Sequence, residues 1–235
     1  MIVDWEAGTA RQCDCIARRR VAKVMRNSKI GQAFRDKTFE NFSLQGLDPR
    51  IVKAWHVAKD YADHYEERRF TDQNGLGIAG AVGSGKTHLL CAVANELLQR
   101  GIGVVYFNFV SGMKEMFAAY DRGGQAVQQI REALQTCDVL FIDDLAKGKP
   151  NDKTGLPEVR SSAYEEIYTI LDYRVFNGLP VLWSSEISTA MIQVLGQATA
   201  GRLLQNSVLV DLTYQSGEPV GCMDYRLMNF LGVTQ

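Results

Sequence analysis

The chain has 235 residues, of which 46% are hydrophobic and 23% charged, with a formal net charge of −1. That length buries one good-sized core, and the composition is that of a globular protein, not of a disordered or fibrous one. No apolar run approaches the ~20 residues a membrane helix needs, and the start of the chain carries Asp4 and Glu6 instead of the basic, apolar pattern of a secretory leader. No membrane association and a cytoplasmic location are therefore expected.

Charge is unevenly placed. Between residues 11 and 37, Arg18, Arg19, Arg20, Lys23, Arg26, Lys29 and Arg35 stand against Asp14 and Asp36. Such a segment is either a contact for phosphates or a solvated helix face. Cys13 and Cys15 lie close together in it, whereas Cys91, Cys137 and Cys222 are isolated and read as reduced, mostly buried thiols. Further on, Asp48-Pro49 opens a helix in which Ile51, Ala54, Trp55, Ala58, Ala62 and Tyr65 recur at helical spacing. Residues 76–80 form a short apolar strand that runs into a glycine loop, followed by a helix over 88–98 that stops at Gly101. Further strands are predicted at 104–109, 139–142, 180–183 and 208–212, and helices at 113–120, 126–134 and 162–176. This alternation predicts an α/β fold with a mainly parallel five-stranded sheet, a P-loop core whose ligand sits beyond the carboxyl ends of the strands.

Gly80-Ala81-Val82-Gly83-Ser84-Gly85-Lys86-Thr87 matches G-x-x-x-x-G-K-[ST], and His88 continues it into the helix. Glycines let successive backbone N–H groups turn toward phosphate oxygens, and the helix N-terminus adds partial positive charge. Lys86 is expected to reach the β- and γ-phosphates of ATP or ADP, and Thr87 to offer its hydroxyl to Mg²⁺. The apolar run before Asp143-Asp144 delivers a pair of acids to the end of a buried strand. Asp143 is expected to hold Mg²⁺ through water, and Asp144 to orient or deprotonate the attacking water.

From these motifs outward the chain resembles the DnaC/DnaI-like helicase loaders and the related IstB-like ATPases of the AAA+ superfamily, over nearly everything from Thr38 onward. Thr38-Phe39-Glu40-Asn41-Phe42 looks like the short aromatic motif before their ATPase core, and Asp143-Asp144-Leu145 like their second nucleotide motif. Tyr173-Arg174 and Gly178-Leu179-Pro180 resemble the stretch leading to their sensor strand. The usual Thr-Ser-Asn of that strand stands here as Ser184-Ser185-Glu186. An amide is thus replaced by an acceptor-only carboxylate, for which the Ser185 hydroxyl could partly substitute. By the resemblance, Arg202 of Gly201-Arg202-Leu203 is an arginine finger reaching a neighbouring subunit's γ-phosphate, and Arg226 of Asp224-Tyr225-Arg226 acts near the same phosphate within its own subunit.

The resemblance implies an AAA+ three-layer sandwich with a reduced C-terminal lid. It divides the chain into a basic N-terminal segment (1–37), a linker motif and helix (38–75) and an ATPase domain (76–235). The N-terminal segment looks like the remnant of a zinc-binding, helicase-binding region, but two cysteines cannot complete a four-ligand zinc site, so zinc is not expected. The implied activity is ATP-dependent loading of a replicative DNA helicase onto single-stranded DNA by a homo-oligomer with ATP at its subunit interfaces. Lys147 and Lys149 are the candidate DNA contacts. The alternatives are a nucleotide-gated adaptor or inhibitor with little hydrolysis, and an IstB-like transposition helper.

Overall fold

The structure is a computed structural model and describes residues 2–4, 9–11, 31–121, 123–188, 190–214, 218 and 223–226. Two short strands, β1 (Ile2–Asp4) and β2 (Thr9–Arg11), pair antiparallel. The expectations resting on Cys13, Cys15, Cys222 and most of the basic segment lie outside the described residues, as does most of the expected lid.

After a single helical turn, α1 (Gln32–Arg35), the chain enters α2 (Pro49–Asp63). Asp48 caps α2 by accepting from the Arg50 N–H at 2.8 Å, with Pro49 in the first turn where no N–H is needed. One turn of α3 (Tyr65–Arg68) leads to the first strand of the main sheet, β3 (Gly75–Gly80), and to α4 (Lys86–Gln99). There follow β4 (Val104–Asn108), α5 (Phe109–Tyr120), α6 (Gly124–Thr136) and β5 (Val139–Asp143). A small hairpin of β6 (Lys149–Pro150) and β7 (Pro157–Glu158) precedes α7 (Ser161–Phe176), β8 (Val181–Ser185), α8 (Met191–Gln205) and β9 (Ser207–Leu212).

The main sheet has five strands in the order β4-β5-β8-β3-β9, and every pairing is parallel. Successive side chains leave a strand on opposite faces, and the buried residues divide accordingly. Leu76, Ile78, Phe141 and Leu182 join α2 and α4 in one core, while Ala79, Leu140, Ile142 and Trp183 join α5 to α8 in the other. The result is the expected three-layer sandwich. The central strands are apolar on both faces because both are covered, and a methyl group on Gly77 would land 2.2 Å from the Trp183 ring. The close approach of β3 and β8 therefore depends on a glycine.

All five expected strands are present, their ends displaced by a residue or two. No helix is predicted from the sequence where α8 lies. Gly196 adopts φ 74 and ψ 156 and breaks that helix in two, so no helical period runs through it. Residues 148–155 are mostly exposed and lie in and around the β6–β7 hairpin, where the backbone of Glu158 passes close over Gly148.

Candidate functional site

The phosphate loop joins the end of β3 to the start of α4. Gly80, Gly83 and Gly85 have φ values of 128, 83 and 88, in the region that side-chain-bearing residues avoid. The Lys86 ammonium lies inside this loop, donating to the Gly80 carbonyl at 2.9 Å and the Ala81 carbonyl at 2.7 Å. Burial pushes its pKa down to about 8, against the pull of the Glu186 and Asp144 carboxylates. A phosphate would supply the missing negative charge. Ser84 is spent within the loop, its hydroxyl donating to the Ala81 carbonyl at 2.8 Å.

Asp143, 4% exposed at the end of β5, is held from three sides. Its Oδ1 accepts from Thr87 Oγ at 2.8 Å and from Ser184 Oγ at 2.5 Å, and its Oδ2 accepts from the Tyr106 hydroxyl at 2.9 Å. Burial and the Asp143 charge push the Tyr106 phenol far above its ordinary range, so it remains a donor. Tyr106 and Ser184 are partners that the sequence reading missed. They come from the strands flanking β5, and only the strand order identifies them. The adjacent Thr87 hydroxyl and Asp143 carboxylate are the hard oxygen donors Mg²⁺ prefers, and these two side chains would hold such an ion beside a bound nucleotide. Among the described residues no set of three or more His, Cys, Asp or Glu side chains is arranged for a metal.

Beyond Asp143 the backbone makes a tight turn in which Asp144 and Ala146 have φ values of 57 and 63. Left-handed conformations at non-glycine residues cost of order 1–3 kcal/mol each and survive only where the surroundings enforce them. Here β8 enforces them. The Asp144 N–H donates to Ser184 Oγ at 2.9 Å, the Leu145 N–H to the Ser184 carbonyl at 2.8 Å, and Ser185 Oγ to the Leu145 carbonyl at 2.8 Å. Ser185 also accepts from the Ile187 N–H at 3.2 Å, so its hydroxyl braces the turn. It is Ser184, one residue earlier, that touches the acid pair.

Lys147, expected at a DNA surface, directs its ammonium toward the acids, 2.7 Å from Glu186 Oε1 and 3.3 Å from Asp144 Oδ2. Burial works against that charge, but the hydrogen bond to Glu186 and the two carboxylates outweigh it and hold the Lys147 pKa above the ordinary lysine value. Partly exposed pairs of this kind are worth about 1 kcal/mol or less.

Residues 38–42 close the site from the other side. Thr38 and Asn41 cap one another reciprocally, at 3.0 and 3.3 Å. The His88 ring turns to them, with Nε2 3.0 Å from the Thr38 carbonyl and 2.9 Å from Asn41 Oδ1. Burial lowers its pKa, so the imidazole is neutral near pH 7. Phe42 stacks on Tyr225 with ring centroids 4.2 Å apart and covers Gly85, while the Tyr225 N–H donates to the Gly83 carbonyl at 2.9 Å. Arg226 lines the cleft with its side chain 68% exposed, 3.8 Å from Asp224. Arg202 does not line it. On the second half of α8 it pairs with Asp172 of α7, both side chains about half exposed.

Val82, Gly83, Gly85, Lys86, Thr87, His88, Asp143, Asp144, Lys147, Glu186 and Arg226 thus share one cleft of 930 Å³ at the carboxyl end of the sheet. A second groove of 1020 Å³ adjoins it between α5, the hairpin and α8, with Lys114, Lys147, Lys149 and Arg160 among its walls.

Residues 9–215 match the family described as IstB-like ATP binding protein. The Bacillus subtilis (strain 168) phage-like element PBSX protein XkdC is 34% identical over 194 residues, 82% of this chain and 70% of that protein. Uncharacterized protein YqaM of the same strain is 32% identical over 203 residues, 86% of this chain but 62% of its own length. In fold, a DnaC helicase loader superposes with a TM-score of 0.62 at 17% identity, covering 77% of this chain and 99% of that one. A replication initiator DnaA bound to AMPPCP and single-stranded DNA superposes at 0.59 and 22% identity, covering 76% of this chain and 50% of that one. With a phosphate loop, an acid pair and a five-stranded parallel sheet in this order, the chain belongs to the IstB-like ATP-binding family and has the AAA+ fold of the DnaC/DnaI-type loaders.

Proposed function

We propose that the protein binds and hydrolyses ATP with Mg²⁺, and uses that cycle to assemble on single-stranded DNA and load a replicative DNA helicase. The observation that carries the ATPase reading is the cleft itself, where Lys86 inside its glycine loop faces Thr87, Asp143 and Asp144 across a space of 930 Å³. In this reading the loop N–H groups and Lys86 hold the β- and γ-phosphates, and Thr87 and Asp143 hold Mg²⁺, which neutralises charge on the phosphate oxygens. Asp144 orients the attacking water and accepts its proton, Arg226 steadies the terminal phosphate, and His88 anchors the aromatic 38–42 segment over the loop. Arg202, outside its own subunit's cleft, acts on that of a neighbour, which makes the working unit a homo-oligomer.

The loader part is supported by the fold likeness to the DnaC helicase loader and by the adjoining groove. Lys114, Lys149 and Arg160 supply backbone-phosphate contacts there, with the half-buried Phe117 as apolar surface, the chemistry of single-strand binding without sequence readout. A second reading, an adaptor gated by nucleotide with little turnover, draws support from the Lys147 contacts that occupy Asp144 and Glu186.

Turnover by the full chain, with and without single- or double-stranded DNA, tests these readings beside Lys86→Ala, Asp144→Asn and Arg202→Ala. Loss of turnover in all three, with Arg202→Ala still binding ATP, is the expected outcome. Tight ATP binding without wild-type turnover under any condition would leave the adaptor, and stimulation by double-stranded DNA alone would point to a transposition helper.

A further inference from the structure

The carboxylate at the tip of β8 stands where it should repel a triphosphate. Glu186 lines the cleft with Lys86, accepts hydrogen bonds but donates none, and carries the same sign as the phosphate it faces. It does not act alone, because the Lys147 ammonium lies 2.7 Å from its Oε1. We propose that Lys147 is the cation that reads the terminal phosphate of a bound nucleoside triphosphate, and that Glu186 is the residue that positions it. The inference rests on the nucleoside-triphosphate reading of the cleft.

Three features support it. The turn carrying Lys147 is fixed: Leu145 and Ala146 are buried, Ser184 and Ser185 bind its backbone, and the Lys147 N–H donates to the Asp144 carbonyl at 3.1 Å. The ammonium is thus delivered to the cleft by a rigid base and needs only side-chain rotation to change partner. Its present contacts are two partly exposed carboxylates, the weak kind of pair, whereas a γ-phosphate offers a stronger charge-assisted hydrogen bond. Finally, the same ammonium touches Asp144 Oδ2 at 3.3 Å. While it stays there it occupies the acid assigned to the water. Moving to the phosphate releases that acid while the nearby Glu186 keeps Lys147 protonated and within reach. A triphosphate then both gains a ligand and frees Asp144, and a diphosphate does neither.

The test compares AMPPCP and ADP, each with Mg²⁺, binding to the full-length wild type, Lys147→Ala, Lys147→Gln, Glu186→Gln and the double variant Lys147→Ala/Glu186→Gln. Loss of Lys147 should weaken AMPPCP binding by about ten- to a hundredfold, the range of a hydrogen bond between charged groups, while ADP affinity stays within about twofold. Retained ADP binding certifies the fold. Glu186→Gln should lower the AMPPCP preference less while Lys147 is present, and should raise it once Lys147 is gone because only repulsion of the phosphate then remains, a reversal of sign that a purely structural role would not produce. An unchanged AMPPCP-to-ADP ratio in both Lys147 variants overturns the proposal. So does tighter AMPPCP binding, which would make Lys147 only a lock on Asp144. A wild type that binds neither nucleotide overturns the phosphate-site reading as well; AMPPCP binding lost in Lys86→Ala but intact in the Lys147 variants overturns this inference alone.

Discussion

Lys86 shows how a single charge sets the working range of the cleft. In the free protein burial brings its pKa to about 8, whereas a phosphate beside it favours the ammonium. Binding therefore takes up a proton wherever the free protein has lost it, at pH above about 8. By linkage, affinity is nearly constant below that value and falls as pH rises through it, approaching tenfold per unit. Titration with AMPPCP at about pH 7 and about pH 9 should show a loss of several-fold, absent in Lys86→Arg, whose guanidinium keeps its proton. Equal wild-type affinities at the two values would contradict the account. This residue was legible in the sequence, since G-x-x-x-x-G-K-[ST] encodes phosphate chemistry in its spacing. Tyr106, Ser184 and the Lys147–Glu186 pair were not. Their relation to Asp143 and Asp144 arises from strand neighbourhood, which no local pattern carries.

Arg174 does comparable work between elements. It is fully buried on α7 and donates to the carbonyls of Leu134, Gln135 and Cys137 at 3.0 Å, closing the end of α6, and to the Pro180 carbonyl at 2.8 Å, just before β8. Burial holds its guanidinium below the ordinary arginine range. No carboxylate appears among those acceptors, so this is a helix cap and not an ion pair. Arg174→Met should leave the buried carbonyls without a donor and cost about 3 kcal/mol in urea unfolding, with nucleotide affinity of the folded fraction unchanged. A cost below about 1 kcal/mol would mean that water replaces the guanidinium. The sequence singles out Tyr173-Arg174 only by likeness to a family, since nothing in its spacing names carbonyls in α6. Long periodic helices and β-branched strands were readable because burial repeats along them. The broken helix α8 was not, because Gly196 divides its period.

For the whole molecule the decisive placement is that of Arg202, half exposed beside Asp172 and outside the cleft of its own chain. If it completes a neighbour's site, turnover per chain should rise with protein concentration before levelling. Arg202→Ala should be slower by about 10³-fold at any concentration, within the range for such fingers. Mixing it with Lys86→Ala should restore part of the activity, since a subunit with an intact loop then meets a neighbour with an intact arginine. Turnover per chain independent of dilution, with no rescue on mixing, would assign hydrolysis to single subunits. The overall architecture was legible at this scale because strand and helix alternate along the chain. The order of strands was not, since it depends on which crossovers pass over which face.

That order has a consequence for how such proteins can diverge. β8 lies between the strand that carries the phosphate loop and the strand that carries the acid pair. Grip on the nucleotide and the proposed chemistry of the water are thereby separated by a strand whose last residues, Ser184 and Ser185, with Glu186 just beyond them, belong to neither motif. If the cleft hydrolyses ATP as proposed, substitutions at that tip change the interval between binding and cleavage while both motifs stay intact.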